Sequence, residues 1–232
     1  MIKAVFFDLY GTLVGFHPPK EQVQAQALAA FGITVTREGI AQGYVLADHL
    51  MSQVNATDAP VPQLAGQDRD RFFAEYEQLI LKGAGVEVDL ATAGRIWASV
   101  RQIPYDFALY DDVLPVLDAL GQRGITRGLL TNVGERVPSL VDKLGLGPHL
   151  DFSVTSAQAG ASKPHPPIFR MALKRAGVTP KEALHVGDSP LSDIEGAKGV
   201  GIQPILIDRD GVMAGFDGCP RITGLREVLG YV

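Results

Sequence analysis

Only one cysteine, Cys219, occurs in the 232 residues, so no disulfide can close within the chain and no multi-cysteine zinc site can form. Charge of one sign is also scarce: 21 Lys and Arg stand against 26 Asp and Glu, a net of −5. That mild acidic excess gives no electrostatic footprint for nucleic acid or an anionic membrane. No stretch approaches the ~20 apolar residues of a membrane span. The start, MIKAVFFDLYGTLV, lacks the charged region, long apolar run and small-residue cleavage site of a signal peptide. Internal repeats, low-complexity tracts and heptad runs are absent. A soluble, cytoplasmic protein is the expectation. What is present is apolar: 46% hydrophobic against 20% charged residues, enough to bury a sizeable core. The length suits one large domain, or a core carrying a smaller insertion.

Residues 2–7 form a short apolar run that stops at Asp8, followed by Gly11 and Thr12. This reads as a buried strand delivering a carboxylate into a turn. The pattern recurs. Residues 125–130 end in Thr131-Asn132, 152–155 in Ser156, 183–186 in Gly187-Asp188, and 204–207 in Asp208. Helix-like segments lie between them at 112–123, 136–144, 167–176 and 191–198. Strand, polar turn and helix in repetition predict an α/β fold, a parallel sheet with helices on both faces. Ligands in such sheets sit beyond the carboxyl ends of the strands, where these polar residues fall.

Residues 16–107 differ. Amphipathic helices are predicted at 20–31, 37–53, 68–81 and 90–101, with no comparable strand between them and a loop rich in Pro, Ala and Gly at 55–66. The block reads as a helical domain inserted into a core made of residues 1–15 and 108–232.

Four signals share the predicted edge. Asp8 alone could form a turn or cap a helix; its place after a buried strand favours a nucleophile or metal ligand. Thr131-Asn132 could cap a helix or bind an anion through its hydroxyl and backbone N–H groups. Lys163, between Gly160 and a proline-rich turn, is either a solvated surface charge or a cation aimed at the same edge. Asp188 and Asp193 straddle a strand-to-helix turn; Asp188 or Ser189 could merely cap it, or the carboxylates could hold Mg²⁺ with a substrate phosphate. The four make chemical sense together. A carboxylate and a phosphate dianion repel by roughly 1 kcal/mol per charge pair at 4 Å in water and ~4 at an effective dielectric of 20. A divalent cation beside Lys163 would offset that repulsion.

In order, D-x-x-G-T-L, T-N, K-P and G-D-S-x-x-x-D resemble the motifs of the haloacid dehalogenase-like hydrolase superfamily, with a helical cap inserted after the first. The resemblance implies a Rossmann-like core with an inserted cap. It makes Asp8 the nucleophile, Thr131 with Asn132 the phosphate-binding pair, and Lys163 the charge-stabilising lysine. It also implies Mg²⁺ held by Asp8, Asp188 and the Tyr10 carbonyl, with Asp193 as a further ligand or a supporting partner. The implied reaction is hydrolysis of a small phosphorylated metabolite through an aspartyl-phosphate on Asp8.

Position 10 departs from the pattern. Phosphatases of the family usually carry a second Asp there, which protonates the leaving group and then activates water. Here the residue is Tyr10, whose side chain faces the site on strand geometry and either packs or transfers protons. General acid–base catalysis is commonly worth ~10²–10⁴-fold, so the change matters. A tyrosine also resembles the D-x-Y-G-T-L start of 2-haloacid dehalogenases, which use no metal. Against that reading, those enzymes carry S-N where this chain has Thr131-Asn132 and S-S-N-x-x-D where it has Gly187 to Asp193. Their cap signature R-x-K-x-x-E-Y is absent as well. A weakly active or inactive ligand-binding relative is the remaining alternative.

His17, His49, His149, His165 and His185 show no metal-ligand spacing and read as surface or core residues, His165 being a possible neighbour of the site. Tyr44, Tyr76 and Trp97 are expected to pack the inserted helices. Gly15 and residues 104–107 read as hinges. A monomer or homodimer fits a chain of this kind.

Overall fold

The computed structural model describes residues 1–132 and 137–232, with the backbone alone at 137–139. The first residue of the helix expected at 136–144, Arg136, lies outside the described residues. The elements begin with β1 (Ala4–Phe7), β2 (Val14–His17), α1 (Lys20–Ala29), α2 (Arg37–Asn55), α3 (Gly66–Gly83) and α4 (Leu90–Val100). They continue with β3 (Asp106–Leu109), α5 (Val113–Gln122), β4 (Thr126–Thr131), α6 (Val137–Lys143), β5 (Phe152–Thr155), α7 (Ser156–Ala159) and α8 (Pro166–Ala176). Last come β6 (Ala183–Gly187), a π-helical turn at Pro190–Glu195, α9 (Gly196–Lys198), β7 (Gln203–Ile207) and β8 (Arg221–Ile222).

Six strands form one sheet in the order β5-β4-β1-β6-β7-β8, and every pairing is parallel. All four residues of β1 are buried, as a strand covered on both faces requires. Ala4 and Phe6 alternate onto one face, where they join Leu130, Val154 and Ala183 from neighbouring strands. Ile168, Phe169 and Ala172 of α8 cover that face. Register aligns the strand ends: Phe7 pairs with Leu129 on one side and Val186 on the other. The residues that follow β1, β4 and β6 therefore emerge together along one edge.

The chain divides into two compact units, Met1–Gly15 with Ala108–Val232, and Phe16–Phe107. In the second, apolar residues at helical spacing meet in one core: Ile40 and Tyr44 of α2, Phe72, Tyr76 and Ile80 of α3, and Ile96 and Val100 of α4. Thr36 accepts from the Gly39 N–H at 3.0 Å and Asp89 from the Thr92 N–H at 2.7 Å, so side chains cap the starts of α2 and α4. Tyr76 meets Tyr44 and Trp97 edge-on, at centroid separations of 6.4 and 5.8 Å, so the three aromatics pack as expected.

Three features differ from the sequence reading. Strands β2 and β3, which the sequence pattern does not predict, form a separate two-stranded sheet that takes in Gly15 and residues 106–107. Each is four residues long, too short for alternation to stand out. Strand β8, two residues long, escapes for the same reason. Third, the helix expected at 191–198 opens as a π-helical turn, in which the Ser189 carbonyl accepts from the N–H of both Asp193 (3.0 Å) and Ile194 (3.2 Å).

Candidate active site

Asp8 is the first residue past β1, and its N–H is held by the Val186 carbonyl of β6 at 2.9 Å. The carboxylate thus leaves the sheet from its centre. Gly11 follows at φ +76°, a conformation that favours glycine, and a Cβ there would lie 2.1 Å from Asp188 Oδ2. The turn after β1 and the turn after β6 touch only because this residue has no side chain. One oxygen each from Asp8, Asp188 and Asp193 lie within 4.8 Å of one another.

Lys163 reaches this cluster from the loop before α8. Its side chain is 2% exposed, and its ammonium donates to Asp8 Oδ1 at 2.5 Å and to Asp193 Oδ1 at 2.6 Å. A buried lysine survives only with its charge matched. Burial works against the ammonium, but Asp193 and Asp8 outweigh it and hold the lysine protonated, above its ordinary pKa. Asp193 is likewise buried. Burial disfavours its charge, yet Lys163 and the hydrogen bond from His185 hold its carboxyl below the usual range. Asp8 behaves oppositely. Burial, helped by repulsion from Asp193, raises it to about 6 despite the pull of Lys163. Asp8 is thus the one of the two carboxylates whose charge remains under-compensated.

Asp193 is fully engaged by its neighbours: Oδ1 accepts from Lys163 and from His185 Nε2 (2.8 Å), and Oδ2 from the Ser189 N–H (3.1 Å). The wide π-helical turn folds this carboxylate back toward β6, where a Cβ on Gly187 would sit 2.2 Å from Asp193 Cγ. Ser189 also caps the turn, its hydroxyl accepting from the Ser192 N–H at 3.1 Å.

Thr131 closes β4, its side chain buried. Asn132 turns its carboxamide onto the loop that carries Lys163: Nδ2 donates to the Lys163 carbonyl at 3.0 Å, and Oδ1 accepts from the Lys163 N–H at 2.7 Å. The Asn132 carbonyl in turn accepts from the Ser156 hydroxyl at 2.9 Å. The structure thus ties Asp8, Lys163, Asp188, Asp193 and Asn132 into one constellation. Tyr10 lies in the adjoining turn, forming an isolated bridge with Val14.

A model of the haloacid dehalogenase-like hydrolases matches residues 2–201. The chain belongs to this family. Among relatives of this chain, the mouse haloacid dehalogenase-like hydrolase domain-containing protein 3 is 38% identical over 104 residues, 45% of this chain and 41% of that protein. The phosphoserine phosphatase of Thermus thermophilus is 35% identical over 170 residues, 71% of this chain and 65% of that one. The matches thus span less than two thirds of either relative's length. The solved 2-haloacid dehalogenase of Pseudomonas syringae pv. Tomato DC3000 superposes with a TM-score of 0.55 at 26% identity, over 99% of this chain and 97% of that one.

His185, expected among surface or core residues, is buried in the core and bonds to Asp193, a partnership no local sequence pattern announces. The only sequence signal is a polar residue inside the otherwise apolar strand A-L-H-V-G. Arg209 is also missed. Its guanidinium donates to the Thr12 carbonyl (2.7 Å) and to Asp112 (3.0 Å) and lies 3.9 Å from the Tyr110 ring centroid, which braces the turn that follows Asp8.

Proposed function

We propose that this hydrolase is a Mg²⁺-dependent phosphatase of a small phosphorylated metabolite, acting through an aspartyl-phosphate on Asp8. The observation that carries the reading is the convergence of a buried ammonium, Lys163, and a second strand-end carboxylate, Asp188, on Asp8. The Thermus relative, named as a phosphatase, supports the same substrate class.

The donor set fits a hard cation, since every available group is an oxygen and Gly11 lets Asp188 approach. Asp8, Asp188 and the Tyr10 carbonyl would hold Mg²⁺, whereas Asp193, already taken by three donors, serves to hold Lys163. When bound, the ion supplies positive charge that offsets the repulsion between Asp8 and a phosphate dianion.

An Asp8 oxygen attacks phosphorus; the new O–P bond forms as the bond to the ester oxygen breaks, and the departing alkoxide takes a proton from water. Thr131 and the Asn132 N–H orient phosphoryl oxygens, and Lys163 stabilises the charge they carry. Water then attacks phosphorus, releases inorganic phosphate and restores the Asp8 carboxylate. Residues 16–107 act as a cap that selects substrate, and the protein works as a monomer or homodimer in the cytoplasm.

The test is hydrolysis of an aryl phosphate with Mg²⁺ and with chelator, for wild type and Asp8→Asn. Turnover that needs both the metal and Asp8 is the expected result. No phosphate release, with halide released from 2-haloacids in chelator, would replace this reading by dehalogenation; neither activity would leave a binding role.

A further inference from the structure

We propose that His185 is a positioning residue, which keeps the Lys163 ammonium shared between Asp193 and Asp8. The proposal rests on the phosphatase reading for its consequence, but its geometry stands independently. His185 is 0% exposed, inside β6, on the face covered by α8, and its ring meets Phe169 edge-on at 5.3 Å. An imidazole is an expensive occupant of an apolar position unless its polar atoms are used. Nε2 is used, 2.8 Å from Asp193 Oδ1, while Nδ1 has no partner among the described residues. A doubly protonated ring would bury an N–H with no acceptor. The arrangement therefore fixes the neutral tautomer, with hydrogen on Nε2 donating to Asp193.

The consequence lies in which oxygen receives that bond. Asp193 Oδ1 accepts from His185 and Lys163 together, and Lys163 divides its donors between Asp193 at 2.6 Å and Asp8 at 2.5 Å. Without the imidazole, Oδ1 would keep Lys163 as its sole strong donor, and a carboxylate stripped of one hydrogen bond attracts its remaining cation more strongly. Lys163 would then shift toward Asp193 and away from the carboxylate it must accompany through phosphoryl transfer. Gly187, two residues on and on the same face of β6, leaves the room into which Asp193 folds. The imidazole and the missing side chain act on the same carboxylate, one as donor and one as space.

Two variants separate this role from packing. His185→Leu fills the space and removes the donor; His185→Gln keeps an N–H close to the position of Nε2. Scalar couplings across hydrogen bonds, from Lys163 ¹⁵Nζ to the carboxylate ¹³C of Asp8 and of Asp193, report how the ammonium is shared and require no turnover. Wild type should show both couplings, His185→Leu should lose the one to Asp8, and His185→Gln should recover it. Where the phosphatase reading holds, kcat of His185→Leu should fall by about 10–100-fold with KM nearly unchanged, as is typical for partners that orient first-line groups. His185→Gln should regain most of the loss. An Asp8 coupling that survives in His185→Leu overturns the proposal, as does a kcat loss that Gln fails to restore. A wild type showing both couplings and the expected Leu and Gln responses, but releasing no phosphate, would overturn the phosphatase reading and leave the positioning role standing.

Discussion

The carboxamide of Asn132 binds both backbone polar groups of Lys163, with an N–H to its carbonyl at 3.0 Å and an oxygen on its N–H at 2.7 Å. One side chain thereby satisfies two backbone groups of another motif, 31 residues away, in the way a neighbouring strand would. The lysine's backbone is fixed at the same edge as Asp8, and only its side chain has to span the remaining distance.

Asn132→Ala releases both bonds and leaves the two polar backbone groups of Lys163 to find other partners. A stability loss of about 1–3 kcal/mol is expected, read by chemical denaturation. Asn132→Asp keeps the acceptor but sets a carboxylate oxygen against the Lys163 carbonyl, so its loss should be at least as large.

Removing Lys163 should cost more. Lys163→Met buries Asp193 and part of Asp8 without their shared cation, and breaking a buried pair in this way is typically worth about 3–5 kcal/mol. Turnover of an aryl phosphate should vanish in the same variant. The double change Lys163→Met with Asp193→Asn should regain stability, measured by denaturation, without regaining turnover.

The helical unit carries a pH dependence of its own. Glu77 is fully buried and accepts from Gln24 Nε2 at 3.0 Å; burial, partly offset by that bond, raises its pKa from 4.5 to about 7. The folded state therefore binds the proton more tightly than the unfolded chain. Its contribution is complete below about pH 4.5 and is lost as pH rises through about 7. Thermal midpoints should fall between about pH 5 and about pH 8 in wild type, and Glu77→Gln should flatten that fall.

Gly11→Ala tests the contact between the two turns. The new Cβ would meet Asp188 Oδ2 at 2.1 Å on a backbone with φ +76°. Strain of about 1–3 kcal/mol is expected, together with displacement of Asp188. Calorimetric titration with Mg²⁺ should show weakened binding relative to wild type.

Tyr10 should show itself through the leaving group. An aryl oxide departs with little help, whereas an alkoxide needs a proton as the bond breaks. Wild type should favour aryl over alkyl phosphates strongly, and Tyr10→Asp should raise the alkyl rate by about 10²-fold or more. Equal gains on both substrates would assign the tyrosine to packing.

Much of this is legible along the chain. Largely apolar runs stopping abruptly at Asp8, Thr131 and Asp188 betray parallel strands, because a strand covered on both faces is mostly apolar until the residue that leaves the sheet. Parallel pairing in register then brings those residues to one edge, so the positions of Asp8 and Asp188 follow from local pattern and sheet geometry together. The helices of residues 16–107 are visible for a similar reason, their apolar residues recurring at i and i+4.

Partnership is not legible. Lys163 sits in a proline-flanked loop where an exposed lysine would look the same, and its burial becomes tolerable only when Asp8 and Asp193 arrive from segments 155 and 30 residues away. His185 offers one polar letter in an apolar strand, with nothing to say that Asp193 would fold back onto it across the space left by Gly187. Local sequence determines which residues leave a strand or face a core, because those rules act over a few residues. Which charge meets which is decided by the tertiary fold, since a buried ion or imidazole is stable only against the partners that folding delivers.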